Sequence, residues 1–249
     1  MKITCLCYTH GRAHIIGEAV ESYLRQEPCG VDHELLIVND CPEQPLECSE
    51  KGVRILNIPM CQSVCEKFNA SIQLAAGEYI AIWEDDDISL PWRLKRSVEQ
   101  SNGLSDNYKQ RNAWYWNDGN ITGIAKNLFF GNSIFRKSDW INGGGADPNG
   151  YPEATGHLAV MKSVNQRGGY YTMEDANPKD VYWIYRWSGV EVVHDSGFGP
   201  SNNDAKVRLK RFRERTLRNS KFKYGLQKIE PGWSFDYTQQ AKEAAAREN

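Results

Sequence analysis

The sequence predicts an α/β fold in which helices cover both faces of a mostly parallel sheet. Short apolar runs alternate with amphipathic runs over residues 2–100, and Gly or Pro closes the amphipathic runs. Strands that alternate with helices form βαβ units, whose strands lie parallel to one another. The chain has 249 residues, enough for one large domain of this kind, and neither an internal repeat nor a low-complexity linker divides it.

The first predicted strand and helix come before residue 30. Residues 2–8 are mostly apolar and predict a short buried strand that ends at the turn Thr9-His10-Gly11-Arg12. Apolar side chains then recur at helical spacing over 15–24, and Pro28 and Gly30 end the predicted helix. The turn therefore lies at the carboxyl end of the first strand.

Further strands and a second helix complete the first hundred residues. Strands are predicted over 34–38, 53–58 and 79–83. The helix between the last two begins at Ser63 and stops at Gly77, a residue that favours a helix C-terminus. The last strand runs directly into the acidic run Glu84-Asp85-Asp86-Asp87. Because ligands bind beyond the carboxyl ends of parallel strands, we expect the turn at 9–12, Asn39-Asp40 and the acidic run to share one edge.

The second half of the chain has weaker periodicity. Residues 101–125 are polar and aromatic, without an assigned element. Strands are predicted over 128–135, 181–187 and 190–193, and a loop rich in Gly, Asn and Pro over 142–153. A helix is predicted from about Thr155 to Gly168, with Leu158, Met161 and Val164 on one face. We expect both halves to form one fused domain.

The formal net charge of −2 hides a strong asymmetry. Residues 205–228 contain ten Lys or Arg and a single Glu, so this basic segment carries +9 and the rest of the chain is acidic. Such a segment predicts contact with a polyanion, or a basic amphipathic helix at a membrane surface, and a solvated helix face is the alternative. The cations assigned to this contact are Lys206, Arg208, Lys210, Arg211, Arg213 and Arg215.

All seven cysteines lie at or before residue 65. Their odd number and the lack of a Cys-x-x-Cys pair argue against a disulfide framework and a zinc ribbon, so we expect reduced, mostly buried thiols. No apolar run approaches the length of about 20 residues that a membrane span needs, and the first residues lack a signal-peptide core. The sequence therefore predicts a cytoplasmic protein.

Four consecutive acids after a buried strand require something that offsets their repulsion. Neighbouring carboxylates raise one another's pKa, and a divalent cation keeps them ionised. Oxygen ligands suit Mg²⁺ or Mn²⁺, which usually bind one or two carboxylates together with the phosphates of a nucleotide. The alternative is an acidic first turn of the helix that begins near Pro91, stabilised by the helix dipole.

Five short motifs occur in order along the first hundred residues. They are Thr9-x-x-Arg12, Val38-Asn39-Asp40, Lys67-Phe68-Asn69, Ala76-Gly77-Glu78-Tyr79-Ile80-Ala81 and the acidic run followed by Pro91. In order and spacing they resemble the nucleotide-sugar-binding half of family 2 glycosyltransferases, which have the Rossmann-related GT-A fold. The resemblance covers residues 3–100, weakens towards residue 195, and favours the metal interpretation of the acidic run.

The resemblance implies roles for the residues of these motifs. Asp40 would accept hydrogen bonds from the nucleotide base, in a pocket that Thr9 also lines. Asp85-Asp86-Asp87 contains the Asp-x-Asp signature, and we expect Asp86 and Asp87 nearest a Mn²⁺ or Mg²⁺ ion that bridges the donor diphosphate. Glu84 occupies a position that is often Asp in the family, so the alternative is a signature that begins one residue earlier. The implied donor-binding residues are Thr9, Arg12, Asp40, Lys67, Asn69 and Asp85; Arg12 and Lys67 also fit ordinary surface cations.

Two departures from the family pattern concern the donor turn and the catalytic base. The usual Tyr-Asn pair before Arg12 is His10-Gly11 here. Inverting members carry a Glu-Asp pair at a helix start, where a carboxylate deprotonates the acceptor, and this chain has Gly156-His157 at that place. His157 is the first candidate base because imidazole titrates near neutrality. Glu153 is the second candidate, and a purely structural histidine is the alternative for His157.

The function implied is that of a metal-dependent, inverting glycosyltransferase. An acceptor hydroxyl would attack the anomeric carbon of a nucleoside-diphosphate sugar, with a UDP-sugar as the expected donor. His194 matches a place where some GT-A enzymes supply a further metal ligand. Residues 1–200 are expected to form the GT-A-like domain, with the nucleotide-sugar half at 1–100 and the acceptor half at 101–200, and 201–249 a basic helical C-terminal extension.

Two kinds of acceptor fit the basic segment. In the first, the segment would bind DNA while the sugar is transferred to a hydroxymethylated base, as in some phage enzymes of related fold. The protein would then act in the cytoplasm of the phage host. Trp114, Tyr115 and Trp116 would then stack on a displaced base, or else belong to the core. A lipid or glycan at the membrane surface is the other acceptor. Two rivals are a nucleotide-sugar-binding protein without catalysis and a cysteine-based metal or redox protein.

Overall fold

The computed structural model describes residues 1–126, 130–147, 152–186 and 205–248. The strands are β1 (Lys2–Thr9), β2 (Asp32–Asn39), β3 (Leu46–Glu47), β4 (Val53–Asn57), β5 (Tyr79–Ile82), β6 (Ile88–Ser89), β7 (Asn107–Gln110), β8 (Asn112–Asn117), β9 (Asn120–Lys126), β10 (Ser133–Arg136), β11 (Tyr171–Glu174), β12 (Trp183–Arg186) and β13 (Gln227–Lys228). The helices are α1 (Ile16–Leu24), α2 (Val64–Leu74), α3 (Arg93–Gln100), α4 (Lys137–Gly143), α5 (Pro152–Gln166), α6 (Ala205–Arg218) and α7 (Tyr237–Arg247).

A seven-stranded sheet in the order β11-β7-β10-β5-β1-β2-β4 forms the centre of the fold. β1 pairs in parallel with β2 and β5, and β2 pairs in parallel with β4. β10 is antiparallel to both of its neighbours. A second sheet has four strands in the order β6-β12-β8-β9, and its strand β6 comes directly after the acidic run. The predicted fold class, a mostly parallel sheet flanked by helices, is confirmed.

Different helices cover the two faces of the central sheet because side chains alternate along each strand. On β1, Cys5 lies in the same buried cluster as Ala19 of α1. The next residue, Leu6, lies in a second cluster with Phe68 of α2 and Val160 of α5. Helices therefore pack on both faces of the central sheet.

Most predicted elements of the first half occupy the predicted stretches. The hydroxyl of Ser63 caps α2 by accepting a hydrogen bond from the backbone N–H of Glu66. All seven cysteines are free thiols, five buried and two half-buried, which confirms that expectation. Among the helices of the described residues, none combines the length and apolar character needed to cross a bilayer.

Several predictions for the second half are wrong. The predicted strand at 128–135 begins later, because Phe130–Asn132 is a 3-10 helix and β10 starts at Ser133. Leu158, predicted on the apolar face of the helix, is 65% exposed, whereas Val164 is buried as predicted, together with Ala159 and Val160. Residues 101–125 contain three strands that the sequence pattern did not indicate, and the Gly-rich loop begins inside α4. The predicted strand at 190–193 lies outside the described residues.

The aromatic cluster of β8 belongs to the core. Trp114 is fully buried and Trp116 nearly so, and both lie in the large cluster that includes α1. Tyr115 is half-buried and its ring lies 6.0 Å from that of Tyr185. The two tryptophans are therefore core residues and do not stack on a displaced base.

The C-terminal residues pack on the body of the fold. β13 pairs with β3, and Tyr237, Ala241 and Ala244 of α7 are buried in the cluster that includes α1. The predicted basic helix is present as α6, although it ends at Arg218, before the last basic residues. The predicted boundary at residue 200 lies outside the described residues and stays a prediction.

Candidate active site

Three polar segments meet at the carboxyl edge of the central sheet. The parallel register places Thr9, the last residue of β1, opposite Asn39 of β2. Beyond the end of β5, the N–H of Trp83 donates to the carbonyl of Leu6 at 2.8 Å. The turn after β1, Asp40 after β2 and the acidic run after β5 are therefore neighbours, as the sequence predicts.

Asp85 joins the acidic run to the turn after β1. Thr9 Oγ1 donates to Asp85 Oδ2 at 2.6 Å, and Arg12 Nη1 donates to Asp85 Oδ1 at 2.6 Å and to Asp86 Oδ2 at 2.9 Å. Burial works to lower the pKa of Arg12, but the charges of Asp85 and Asp86 raise it above its usual value. A permanently charged guanidinium thus lies between the turn and the acids.

Asp40 is enclosed by hydrogen-bond donors and is 1% exposed. His10 Nδ1 and Lys67 Nζ each lie 2.9 Å from its Oδ1 atom. The backbone N–H of Cys61 and Nη2 of Arg213 each lie 3.2 Å from its Oδ2 atom. Burial works to raise the pKa of Asp40, but hydrogen bonding to His10 and the charge of Lys67 hold it well below its usual range.

Within the described residues, one group of three acids can offer oxygen ligands to a metal. Carboxylate oxygens of Glu84, Asp86 and Asp87 lie within 4.8 Å of one another. Burial, followed by the charges of Asp86 and Glu84, raises the pKa of Asp87 well above its usual value. A divalent cation would remove this repulsion, and the oxygen-only donor set fits Mn²⁺ or Mg²⁺. His194, the further predicted ligand, lies outside the described residues.

Arg186, at the end of β12, ties the acidic run to α1 and α7. The antiparallel pairing of β12 with β6 brings it opposite the acids. Its backbone N–H donates to Asp87 Oδ1 at 2.9 Å, and its guanidinium donates to the Asp86 carbonyl and to the Glu18 carboxylate. Tyr237 of α7 donates its hydroxyl to the same carboxylate at 3.1 Å. Arg186 thus fixes the backbone and one carboxylate of the acidic run.

Replacing Glu18 with Gln should lower the free energy of unfolding by about 3 kcal/mol, because Arg186 would keep a buried charge without its partner. Chemical denaturation in urea measures the difference. Glu21→Gln is the matched control on α1, since Glu21 pairs with the half-exposed Arg25 and should change stability by less than about 0.5 kcal/mol. Equal losses in the two variants would contradict this account of Arg186.

His157 lies on α5 among aromatic side chains. Its ring centre is 6.0 Å from that of Phe130 and 5.2 Å from that of Tyr171. Burial, and then the charge of Lys109, lowers the pKa of His157 to about 4. Its Nδ1 atom is buried and has no hydrogen-bond partner among the residues that the structure describes. The imidazole is therefore neutral at pH 7, and one of its ring nitrogens can accept a proton.

A short 3-10 helix connects α5 with the acidic run. Phe130, which contacts His157, is followed by Gly131, and a Cβ atom at Gly131 would lie only 2.6 Å from Oε2 of Glu84. The Glu84 carboxylate therefore lies directly against the backbone of Gly131. Glu153, the second candidate base, is the second residue of α5.

The other predicted site residues have different surroundings. Asn69 accepts from Trp140 Nε1 at 2.9 Å and from the N–H of Ala146 at 3.0 Å, and it donates to the Ala146 carbonyl at 2.9 Å, so it joins α2 to the segment after α4. Its donor role stays a prediction. In α6, Lys210 is exposed, Arg213 contacts Asp40 and Arg215 is half-buried. The side chains of Lys206, Arg208 and Arg211 lie outside the described residues.

A model of one protein family matches more than half of the chain. Its description is Glycosyl transferase family 2, and it matches residues 5–144. The succinoglycan biosynthesis protein ExoO of Rhizobium meliloti (strain 1021) is 31% identical over 104 residues, which make up 40% of this chain and 29% of that protein. The chain therefore spans less than a third of the length of this relative.

Solved structures share the fold at low sequence identity. S. aureus TarS 1-349 in complex with UDP-GlcNAc has a TM-score of 0.58 at 14% identity, covering 90% of this chain and 68% of that chain. The mannosyltransferase PcManGT from Pyrobaculum calidifontis, in complex with GDP-Man and Mn²⁺, has a TM-score of 0.52 at 14% identity, covering 74% of this chain and 56% of that chain. With the family match over residues 5–144, the chain belongs to glycosyl transferase family 2, a family of enzymes that transfer sugars.

Proposed function

We propose that the chain is a metal-dependent, inverting glycosyltransferase that moves a sugar from a nucleoside-diphosphate sugar to an acceptor hydroxyl. The observation that carries the proposal is the group formed by Glu84, Asp86 and Asp87 at the carboxyl edge of the sheet. The TarS and PcManGT complexes contain UDP-GlcNAc and GDP-Man with Mn²⁺, which supports a nucleotide-sugar donor and a divalent cation. A UDP-sugar is the first donor to test.

The residues around the acids have separate parts in this proposal. Glu84, Asp86 and Asp87 would hold the ion, which as a Lewis acid stabilises the charge on the leaving diphosphate. Arg12 and Arg186 keep the acids in place through the hydrogen bonds described above. Their support means that the acids themselves need little rearrangement when the ion binds, which favours stabilisation of the transition state.

His157 is the proposed general base. It would take the proton of the acceptor hydroxyl while that oxygen attacks the anomeric carbon and the nucleoside diphosphate departs, so that the configuration at this carbon inverts. Its pKa of about 4 keeps the imidazole unprotonated at neutral pH. Glu153, at the start of the same helix, is the alternative base.

Titration calorimetry with UDP-, GDP- and dTDP-sugars tests the donor site. We expect one nucleotide class to bind, and to bind only when Mn²⁺ or Mg²⁺ is present. Asp32→Ala is the control for loss of an aspartate outside the proposed site, because Asp32 is exposed at the opposite end of β2. This variant should bind the donor with the affinity of the parent. Failure of every donor to bind would contradict the proposal.

The acceptor that we propose first is a hydroxymethylated DNA base, in the cytoplasm of a phage host. The +9 charge of residues 205–228 supports it, since phosphate contacts by Lys and Arg supply most non-specific DNA affinity. The name of ExoO, a succinoglycan biosynthesis protein, favours a glycan or lipid-linked acceptor as the second candidate. Salt-sensitive retention on DNA but not on anionic liposomes supports the first, and the reverse supports the second. Retention on neither would make the basic segment a solvated face.

A further inference from the structure

Helix α6 packs across the turn that follows β1. The ring of Phe212 lies 5.0 Å from the guanidinium carbon of Arg12 and 6.4 Å from the ring of His10. Gly11, at φ +65°, lies against Thr216, and a Cβ atom at Gly11 would come within 2.5 Å of Thr216 Cγ2. Glycine is therefore required at this position, both for the backbone angle and for the close approach of α6.

His10 and Gly11 are the residues of this turn that contact α6. His10 hydrogen-bonds Asp40 and faces Phe212, whereas Gly11 makes room for Thr216. The two residues of this turn therefore fit the surface of the docked helix.

Arg213 of α6 also contacts Asp40, the residue proposed to bind the nucleotide base. Its Nη2 atom lies 3.2 Å from Asp40 Oδ2 and 2.5 Å from the carbonyl of Cys61. A carboxylate offers about four acceptor positions. His10, Lys67, the Cys61 N–H and Arg213 use four of them on Asp40. An N–H group of a nucleotide base can bond Asp40 only after one of these donors leaves.

Arg213 is the donor that can leave without dismantling the sheet edge. His10 directly follows β1, Cys61 lies between β4 and α2, and Lys67 lies within α2, whereas Arg213 belongs to α6 near the C-terminus. The side chain of Arg213 is 17% exposed, against 3% for His10 and 8% for Lys67. Displacement of Arg213 would free one acceptor position on Asp40 and keep the other hydrogen bonds intact.

We propose that α6 is an internal competitor of the nucleotide. Arg213 occupies the Asp40 carboxylate in the donor-free protein, and the nucleotide base takes its place when the donor binds. This inference rests on the proposed donor site. Because the nucleotide must first displace α6, the observed donor affinity is lower than that of the open site by the fraction of molecules that are open.

Nucleotide binding by Arg213→Ala tests the competition. In the presence of Mn²⁺, we expect UDP to bind this variant about tenfold more tightly than the parent, as loss of one charge-assisted hydrogen bond from the closed state implies. Arg218→Ala, an exposed arginine in the last turn of the same helix, is the matched control and should bind UDP as the parent does. Weaker or unchanged binding by Arg213→Ala would overturn the inference.

Hydrogen exchange gives a second readout that does not depend on a variant. Backbone amides of residues 210–218 in the parent should exchange faster when UDP and Mn²⁺ are saturating, because α6 leaves the turn. Equal or slower exchange would overturn the competition while leaving the donor site intact. Failure of UDP, GDP and dTDP to bind either protein would overturn the proposed function, and this inference with it.

Discussion

Replacing Asp86 with Asn should lower kcat/KM for sugar transfer by at least about 10³-fold, because a metal site contributes several kcal/mol of charge stabilisation in the transition state. The amide keeps the size of the side chain and an oxygen that can accept from Arg12, so the variant removes mainly the negative charge. Carboxylate oxygens of Glu84, Asp86 and Asp87 lie within 4.8 Å of one another, so the substitution removes one of three charges that would hold the ion.

Two measurements separate loss of the metal from loss of the fold. Electron paramagnetic resonance of Mn²⁺ should give a dissociation constant at least tenfold higher for Asp86→Asn than for the parent. Thermal unfolding should stay close to that of the parent, since removing one of several repelling carboxylates does not open the core. Transfer at the parental rate, or unchanged Mn²⁺ affinity, would exclude Asp86 as a metal ligand.

Replacing His157 with Gln should lower kcat by about 10²- to 10⁴-fold, the usual contribution of a general base. A base must be unprotonated, so the rate should fall with acid only near the pKa of His157, which is about 4. An unperturbed histidine would instead lose activity near pH 6.5. The pH profile of kcat/KM between pH 4 and 8 measures the pH at which the activity of the parent falls.

Lys109→Met is the control for this assignment. Lys109 is buried on β7, and its charge contributes to the low pKa of His157, so its removal should move the acid limb of the profile to higher pH. A limb that stays in place would show that another group sets it. Full activity of His157→Gln combined with loss of activity in Glu153→Gln would move the role of base to Glu153. Full donor turnover in both variants would exclude both bases.

The strands and helices of the first hundred residues could be predicted because the spacing of the apolar residues matches the elements of the structure. β1 and β5 are runs of buried apolar side chains, and the polar residues directly after them mark the carboxyl edge. The site at that edge could also be anticipated: Thr9, Arg12 and Asp85 form one network, and Asp86 and Asp87 lie together. Their roles in binding remain predictions.

The strand β7 could not be recognised because it buries polar side chains. β7 has the sequence Asn-Tyr-Lys-Gln, and all four residues are buried, including Lys109. Such a segment lacks the alternation of apolar and polar residues that predicts a strand. Leu158 shows the opposite case, since an apolar side chain at helical spacing is exposed on α5.

Charged residues that act inside the fold left no signal in the sequence. Glu18 and Arg186 form a buried ion pair, although an isolated acid on a helix and an arginine in a strand usually lie at the surface. Arg213 was one of many cations in the basic segment, and its contact with Asp40 depends on how α6 packs. For α7, a signal was available: Tyr237, Ala241, Ala244 and Ala245 recur at helical spacing and are buried.

The stereochemistry of donor turnover tests the central claim most directly. Proton nuclear magnetic resonance would follow the anomeric signal of an α-linked UDP-sugar in the presence of Mn²⁺ and the acceptor. The account predicts that this signal is replaced by that of a product with β configuration, and that EDTA stops the reaction. A product that retains the α configuration, or turnover that continues in EDTA, would contradict a metal-dependent, inverting transfer.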